Sequence, residues 1–538
     1  MRSFTLRRNW WLLWAGIVAL VLGAMWLADP RVGRLWLNSA LLAAGACGIA
    51  VPLGTLAALI IVKTDAPGRR AAGLLLAAML LIPLFLIAGA WDAGFGIQGW
   101  HTLSSNPNLA RPPWLEGWRA AIWIHGLAAV PWVALIVSAG LCAVETELEE
   151  DASLYFSPLR VLWHVTLPRA TPAIAVAALW VAILASVEIS VTDFFQVRTF
   201  AEEVYTQAAL GTLDFTGESS PSWTNALGWW LGLLLFTLLA IAALFAARRL
   251  LADLAHISLR QTWKWQLGRF RWPTAIVLGL ILLLVAGVPL ANLLYKAGSH
   301  VVQTGLGRER SWSAGQALAR LAAAPLEFGG DLWLSARWGA AAAAAAVLIG
   351  LPLAWSLRIA RRPPFARLLA LALCLTIPGP VLGIAVIKLL NQPPNTVLAV
   401  LAPLYDSYFA TWLVQTIRAL PLVTLILWAA LASIPQPMLD AAAIDGAGWW
   451  RRLLRIALPQ RWPAVAAAGL IGFAIAIGEL AATVLVLPPD RSTAITVRVF
   501  QLLHYGVDDR VAAISLVLAA LTAVISAVGV LLLTRKTH

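Results

Sequence analysis

The chain has 538 residues, of which 61% are hydrophobic and only 12% are charged, whereas an ordinary soluble domain carries about 25% charged residues. The apolar residues form long uninterrupted blocks that a water-facing surface could not accommodate, so the composition excludes a soluble protein. The formal net charge of +13 would suggest nucleic-acid binding in a soluble chain. Here the arginines stand at the ends of the apolar blocks, which is typical of short cytoplasmic loops, so nucleic acid is not expected as a partner.

Twelve apolar blocks are long enough to cross a membrane, since a spanning helix needs about 20 apolar residues. We predict an all-α polytopic membrane protein of about twelve transmembrane helices, in which prolines introduce kinks into several spans. The first block exceeds the apolar core of a signal peptide and is interpreted as an uncleaved anchor. The predicted spans cover residues 10–28, 37–62, 72–91, 119–143, 173–195, 225–247, 274–294, 333–357, 368–390, 409–433, 464–487 and 511–533.

The basic residues between these spans set the orientation. Arg7, Lys63, Arg362, Arg451 and Arg535 all lie on the same side under a twelve-span count. Because cationic residues are retained on the cytoplasmic side, both termini are expected in the cytoplasm, with the chain in the inner (plasma) membrane and in contact with lipid.

The sequence contains an internal duplication. The segment LWLNSALLAAGACGIAVPLG begins at Leu35 and a similar segment begins at Leu332, an offset of 297 residues; Leu167-Pro168 and Leu458-Pro459 recur at an offset of 291. Such parallel self-similarity predicts two six-helix repeats. We expect a first half over residues 1–250, a basic cytoplasmic linker over 251–272 and a second half over 273–538.

Each half has one long connection between its fourth and fifth spans, at residues 145–172 and 436–463. In the second half, Gly446 is expected to end one helix, and Trp450, Leu453, Leu454 and Ala457 then form the apolar side of a second, amphipathic helix. In the first half, Leu159, Leu162 and Trp163 occupy the corresponding apolar positions. One copy alone could simply anchor a loop at the membrane surface. Two copies favour a pair of docking elements for another protein.

The second of these connections resembles the EAA loop of ABC importer permeases, the binding-protein-dependent inner-membrane components with a MetI-like fold. The matching residues are Asp440, Ala441, Ala442, Gly446, Ile456, Leu458 and Pro459, with Asp in place of the family's Glu. The first connection matches loosely through Glu149, Glu150, Asp151, Ala152, Leu167 and Pro168, and Tyr155 stands where the glycine belongs.

The resemblance covers nearly the whole chain, since it extends over both predicted six-helix halves. A fused arrangement of two such halves resembles the ferric iron and thiamine branch of these importers. KTDAPGR and GELAATVLVLPPDRSTAITVRVFQLLHYG fit that branch. It implies that the two loops couple to cytoplasmic ABC ATPase subunits, expected as a homodimer, and that an extracytoplasmic solute-binding protein delivers the solute.

Catalytic motifs are absent from the sequence. It contains no GxxxxGK[ST] loop, HExxH, GxSxG or paired-cysteine motif, so ATP hydrolysis is expected on a separate chain. We therefore assign no catalytic residue, no metal ligand and no cofactor.

Glu188 and Glu479 are equivalent carboxylates expected inside the fifth span of each half, toward the outer half of the membrane. Intramembrane carboxylates are costly unless they face a cavity or a partner. They either line a translocation path or are satisfied by neighbouring helices. Arg418 and His125, in the fourth spans, are weaker candidates for the same path.

The leading hypothesis is the membrane subunit of an ABC importer that works by alternating access, with ferric iron as the favoured solute and thiamine next. A twelve-span secondary transporter is the second hypothesis, and a polytopic membrane enzyme is the third.

Overall fold

The computed structural model describes residues 29–102, 112–210, 263–304, 307–360, 365–392, 396–488 and 493–534, together with scattered positions at 21–27 and 230–242. Predicted spans 10–28 and 225–247, and most of the predicted linker, lie outside the described residues.

Eight helices make up the described part of the first half. Helix α6 contains a π-helical segment at Leu162–Thr166. The helices are α1 Pro30–Lys63, α2 Arg69–Met79, α3 Leu84–Phe95, α4 Gly117–Cys142, α5 Thr146–Tyr155, α6 Pro158–Val187, α7 Ser190–Phe194 and α8 Phe200–Ala209.

The second half adds thirteen described helices and one antiparallel hairpin. The elements are α9 Gly268–Gly298, β1 Ser299–Thr304, β2 Gly307–Trp312, α10 Ala314–Glu327, α11 Gly329–Ile359, α12 Phe365–Thr376, α13 Gly379–Leu390, α14 Ala402–Tyr405, α15 Phe409–Ala432, α16 Gln436–Ile444, α17 Trp449–Gln460, α18 Trp462–Gly478, α19 Thr483–Val486, α20 Ile495–His504 and α21 Asp509–Thr534.

The all-α prediction is confirmed, and the β1–β2 hairpin is the only sheet among the described residues. Within the described ranges, seven helices are long and apolar enough to cross a membrane, and ten spans result when each bent helix pair counts as one. These ten coincide with the second to fifth and the seventh to twelfth predicted spans. The protein is a polytopic helical membrane protein.

The two halves repeat one packing arrangement. Helices α1, α4 and α6 pack together in the first half, and α11, α15 and α18 do so in the second. Alanine is the common contact residue, as at Ala46, Ala50 and Ala177 in the first trio and Ala346 and Ala468 in the second. Such small residues let membrane helices approach closely.

The third predicted span of each half is bent sharply instead of kinked. Helices α2 and α3 meet at 105°, and α12 and α13 meet at 109°. Pro83 precedes α3, and Pro378 precedes α13. Proline has no N–H to continue a helix, which explains both breaks. By contrast, Pro131, Pro352 and Pro421 lie inside unbroken helices.

Helix α9 belongs to the second half by sequence but packs against α1, α2, α3 and α4 of the first. Leu278, Ile281 and Val285 of α9 are buried in one cluster with Ala57 and Leu76. The two halves therefore interlock. We call the face that carries α5 and α16 the basic face, and the side that carries α7 and α20 the opposite face.

Candidate functional site

Two equivalent glutamates interrupt the fifth span of each half. Helix α6 ends at Val187 and α18 ends at Gly478, and the residues that follow, Glu188 and Glu479, have extended backbones. Short helices α7 and α19 follow after these breaks. The predicted continuous spans over 173–195 and 464–487 are therefore wrong at their C-terminal ends.

Hydrogen bonds to the carboxylates account for the breaks. Oε1 of Glu188 accepts from the Ser190 backbone N–H at 2.7 Å, and Oε2 accepts from Val191 N–H at 3.1 Å. Oε1 of Glu479 accepts from Ala482 N–H and Oε2 from Thr483 N–H, both at 2.9 Å. A side chain that caps the next turn in this way replaces the backbone acceptors that a continuing helix would supply.

Each glutamate also faces a basic side chain from the fourth span of its own half. His125 Nε2 lies 3.5 Å from Glu188 Oε2, and Arg418 Nε lies 3.9 Å from Glu479 Oε1. His125 Nδ1 lies 2.8 Å from the Ala121 carbonyl oxygen, so Nδ1 carries a proton and Nε2 faces the carboxylate. The sequence placed these four residues in the same region, and the structure joins them in pairs.

The two pairs line one cavity of about 340 Å³ between the halves. Most of its wall is apolar and comes from both halves, with Trp132 and Trp180 from the first and Leu422 and Ile475 from the second. A largely apolar cavity with a few convergent polar groups is typical of a small-molecule site. Each carboxylate is accompanied by a basic side chain, and Arg418 places a permanent positive charge beside Glu479.

In the first half, the helix of the long connection is anchored internally. Glu149 of α5 is fully buried, and its Oε2 accepts from Lys63 Nζ at 2.6 Å while its Oε1 accepts from the Thr166 hydroxyl at 2.7 Å. This contact ties α5 to the end of α1 and to α6. Glu150, Asp151 and Tyr155 are exposed, and Ala152 is half-buried.

In the second half, the predicted helix, glycine turn and second helix are confirmed as α16, Gly446 and α17. Gly446 has φ +78°, and it donates its N–H to Ala443 O at 3.1 Å while Ala447 donates to Ala442 O at 2.9 Å. This pair of bonds is a Schellman motif, which requires a left-handed residue. Asp440 is exposed and accepts from Gln436 Nε2 at 2.8 Å.

The two connections differ where the sequences differ. Tyr155 replaces the glycine, and α5 ends on an extended Phe156 with no left-handed residue. Leu167 and Pro168 lie inside the continuous helix α6, whereas Leu458 and Pro459 end α17 just before an 85° bend into α18. The amphipathic segment and the fifth span are thus one helix in the first half and two in the second.

Sequence reasoning missed the partners of Glu149. In the sequence, Lys63 was used only as one of the basic residues that set the membrane orientation, and no role was predicted for Thr166. The signal available was the position of Lys63 at the very end of an apolar span, where a cation fully removed from solvent requires a carboxylate.

One protein family matches a region within the second half of the chain. Residues 346–535 match the family described as "Binding-protein-dependent transport system inner membrane component". The second half of the chain carries a domain of this family. This permease domain contains Arg418, Glu479 and the α16–α17 connection, and its family is a transport component of the inner membrane, not an enzyme family.

A short segment also resembles a curated relative. Over 51 residues the chain is 43% identical to the trehalose transport system permease protein SugA of Mycobacterium tuberculosis, in strains CDC 1551 / Oshkosh and ATCC 25618 / H37Rv. The match covers 10% of this chain and 17% of the relative. The chain thus spans less than a fifth of the length of this relative.

Proposed function

We propose that the chain is a two-half permease of an ABC importer, which moves a small solute across the inner membrane by alternating access. The observation that carries this proposal is the 340 Å³ cavity, because equivalent residues of both halves line it. A path at the interface of two parallel repeats can open to either side when the halves rock against each other.

The glutamates connect the cavity wall to the helix geometry. Glu479 caps α19 and faces Arg418 of α15, so a change in the angle between α15 and α18 alters both contacts. Glu188 and His125 have the same relationship in the first half. We therefore assign Glu188, Glu479 and Arg418 to the translocation path, with His125 as the partner of Glu188.

The coupling helices are α5 and α16, and we propose that they bind cytoplasmic ATPase subunits, expected as a homodimer. Each helix exposes large apolar side chains at its end: Leu154 and Tyr155 are 76% and 81% exposed, and Ile444 is 87% exposed. Exposed apolar residues at a membrane protein's polar face indicate a protein contact. This assignment places the basic face and both termini in the cytoplasm and an extracytoplasmic solute-binding protein at the opposite face.

The solute is the least constrained part of the proposal. Ferric iron is favoured by the resemblance of the sequence and thiamine is next, whereas the similar permease SugA is named for trehalose. Because His125 and Arg418 accompany the two carboxylates, the cavity does not favour a free cation over a neutral polar solute. Among the described residues, no group of three or more His, Cys, Asp or Glu side chains is placed to hold a metal ion.

The test is uptake into proteoliposomes that contain this chain, its cognate ATPase and its solute-binding protein, with ferric iron, thiamine and trehalose supplied separately. We expect one solute to accumulate only when ATP is present, and Arg418→Gln to abolish that accumulation while the complex still assembles. Arg367→Gln, at an exposed position of α12 that lies outside the cavity and outside both coupling helices, is the control. Uptake without the ATPase that follows an imposed proton or sodium gradient would instead establish a secondary transporter.

A further inference from the structure

A second cavity lies at the basic face of the second half, and it shares no residue with the central one. Its volume is about 220 Å³, and it lies between the end of α11, the start of α16 and the π-helical part of α17. Trp355, Arg358, Gln436, Leu439 and Arg452 line it. The cavity is thus directly beneath the proposed coupling helix.

Hydrogen-bond donors dominate the polar part of this wall. The indole Nε1 of Trp355 and the Nε of Arg452 are both removed from solvent without a hydrogen-bond partner among the described residues, and the Trp355 residue is fully buried. Arg358 is held in place by the carbonyl oxygens of Leu431 and Ile434, at 3.4 and 3.3 Å. Buried donors without an acceptor are costly, which indicates that a missing acceptor belongs here.

The first half shows how a buried cation is balanced at this depth. There, Lys63 at the end of α1 is paired with Glu149 of α5. At the repeat offsets of 297 and 291 residues, the second half has Ala360 and Asp440, and Asp440 is exposed and bonded to Gln436. Among the described residues no carboxylate forms an ion pair with Arg358 or Arg452, so the second half has the cations without the internal anion.

We propose that this cavity binds a phosphate group, held by Arg358, Arg452 and the Trp355 indole N–H. Guanidinium groups match the geometry of phosphate oxygens and bind them by charge-assisted hydrogen bonds. The group comes either from the headgroup of an anionic phospholipid or from free inorganic phosphate. Basic pockets between helices at the cytoplasmic side bind lipid headgroups in this way, and the exposed Trp450 and Leu454 of α17 give the surroundings the amphipathic character of an interfacial helix.

Such a ligand would connect α11, α16 and α17, as the Lys63–Glu149 pair connects α1 and α5. The proposal concerns binding and stability of the full chain alone, so it stands or fails independently of the solute and of the coupling role.

The experiment uses the full-length chain in two preparations. In the first, the chain is purified from nanodiscs of phosphatidylglycerol and phosphatidylcholine, and retained phosphatidylglycerol is counted by native mass spectrometry. In the second, the chain in phosphatidylcholine-only nanodiscs is titrated with inorganic phosphate while its thermal unfolding is followed. The variants are Arg452→Gln and Trp355→Phe, and the matched control is Arg451→Gln, the neighbouring exposed arginine that does not line the cavity.

We expect wild type and Arg451→Gln to bind equally, and Arg452→Gln to bind at least about tenfold more weakly because it loses a charged hydrogen bond. Trp355→Phe keeps an aromatic ring but removes the N–H donor together with part of the indole, so weaker phosphate binding by a variant that is still folded supports the same site. Retained phosphatidylglycerol that phosphate does not displace identifies the headgroup, and stabilisation by phosphate alone identifies the free ion. Equal binding by wild type, Arg452→Gln and Trp355→Phe in both preparations would overturn the proposal.

Discussion

His504 of α20 and Asp193 of α7 join the two halves on the opposite face, with 3.2 Å between Nε2 and Oδ2. The hydrogen bond that His504 donates to Asp193 raises the pKa of His504 above its ordinary 6.5, and the bond to the Phe500 carbonyl adds to this effect against the opposing effect of burial. Phe194 and Phe500 pack edge-on against the imidazole ring. The contact therefore favours the protonated histidine.

This contact should make stability depend on pH. A group with a raised pKa in the folded state stabilises fully below its unfolded pKa, about 6.5, and this stabilisation is lost as pH rises through the folded value. We expect Asp193→Asn to lower the melting temperature at pH 5.5 and to have little effect at pH 8.5. The free energy involved is no more than about 1 kcal/mol because His504 is 40% exposed. The measurement is thermal unfolding of both proteins across this range, and a difference that is constant with pH would contradict it.

Breaking the buried Lys63–Glu149 ion pair should lower the free energy of unfolding by more than loss of the Asp193–His504 contact does. Glu149→Gln keeps an acceptor for Thr166 but leaves the Lys63 ammonium buried without a counter-charge, so the free energy of unfolding should fall by about 3–5 kcal/mol. The double variant Lys63→Met with Glu149→Leu should recover most of the lost free energy of unfolding, because no buried charge is left unpaired. The control is Asp440→Asn at the equivalent exposed position, with an expected change below about 0.5 kcal/mol. Denaturation of the four proteins in detergent measures these values, and equal effects of Glu149→Gln and Asp440→Asn would refute the prediction.

Gly446 is the only glycine of the second coupling connection with a left-handed backbone, at φ +78°. A β-carbon there would meet no atom within 4 Å, so Gly446→Ala introduces backbone strain without a clash. We expect the left-handed conformation of this turn to be destabilised by about 1–2 kcal/mol, and we expect ATP-dependent uptake to fall.

Gly448→Ala is the matched control for that turn, because Gly448 has φ −65° and equally open surroundings. The ATP-dependent uptake of Gly446→Asn should lie between those of Gly446→Ala and Gly448→Ala, since asparagine tolerates the left-handed region. Equal uptake by all three variants would show that the turn does not transmit the coupling.

The two cavity glutamates should respond differently to neutralisation. Glu479→Gln leaves the permanently charged guanidinium of Arg418 without a counter-charge in the membrane, whereas Glu188→Gln removes the partner of an imidazole, a group that need not carry a charge. We expect the free energy of unfolding to fall by about 3 kcal/mol in Glu479→Gln and by about 1 kcal/mol in Glu188→Gln. The double variant Arg418→Gln with Glu479→Gln should recover part of the larger loss. Thermal unfolding of the three variants tests this order, and a greater loss in Glu188→Gln would reverse the argument.

Much of the fold could be predicted from the sequence because membrane spans and repeated segments leave direct composition and spacing signals. The duplication correctly paired Glu188 with Glu479, and the pattern around Gly446 correctly predicted a left-handed turn. The interruption of the spans at Glu188 and Glu479 was not predicted, because both glutamates stand in apolar blocks that continue beyond them. Hydrogen bonds to the next turn decide where these helices end, and hydropathy does not report them.

The ion pairs were beyond the reach of the sequence for another reason. Lys63 and Glu149 lie 86 residues apart, and Asp193 and His504 lie 311 apart, so neither pair falls within one helix, and the second pair joins the two repeats. Their proximity depends on how α1 and α5, and then α7 and α20, are packed.

The packing of α9 has a consequence for biosynthesis. Residues 268–298 cover the buried surfaces of α1 and α2, yet about two hundred residues separate Lys63 from α9 along the chain. The earlier helices cannot make this contact until α9 has been synthesised. The boundary between the sequence repeats is therefore not a boundary between units of assembly, and the first half reaches its final packing only after the second has begun to be made.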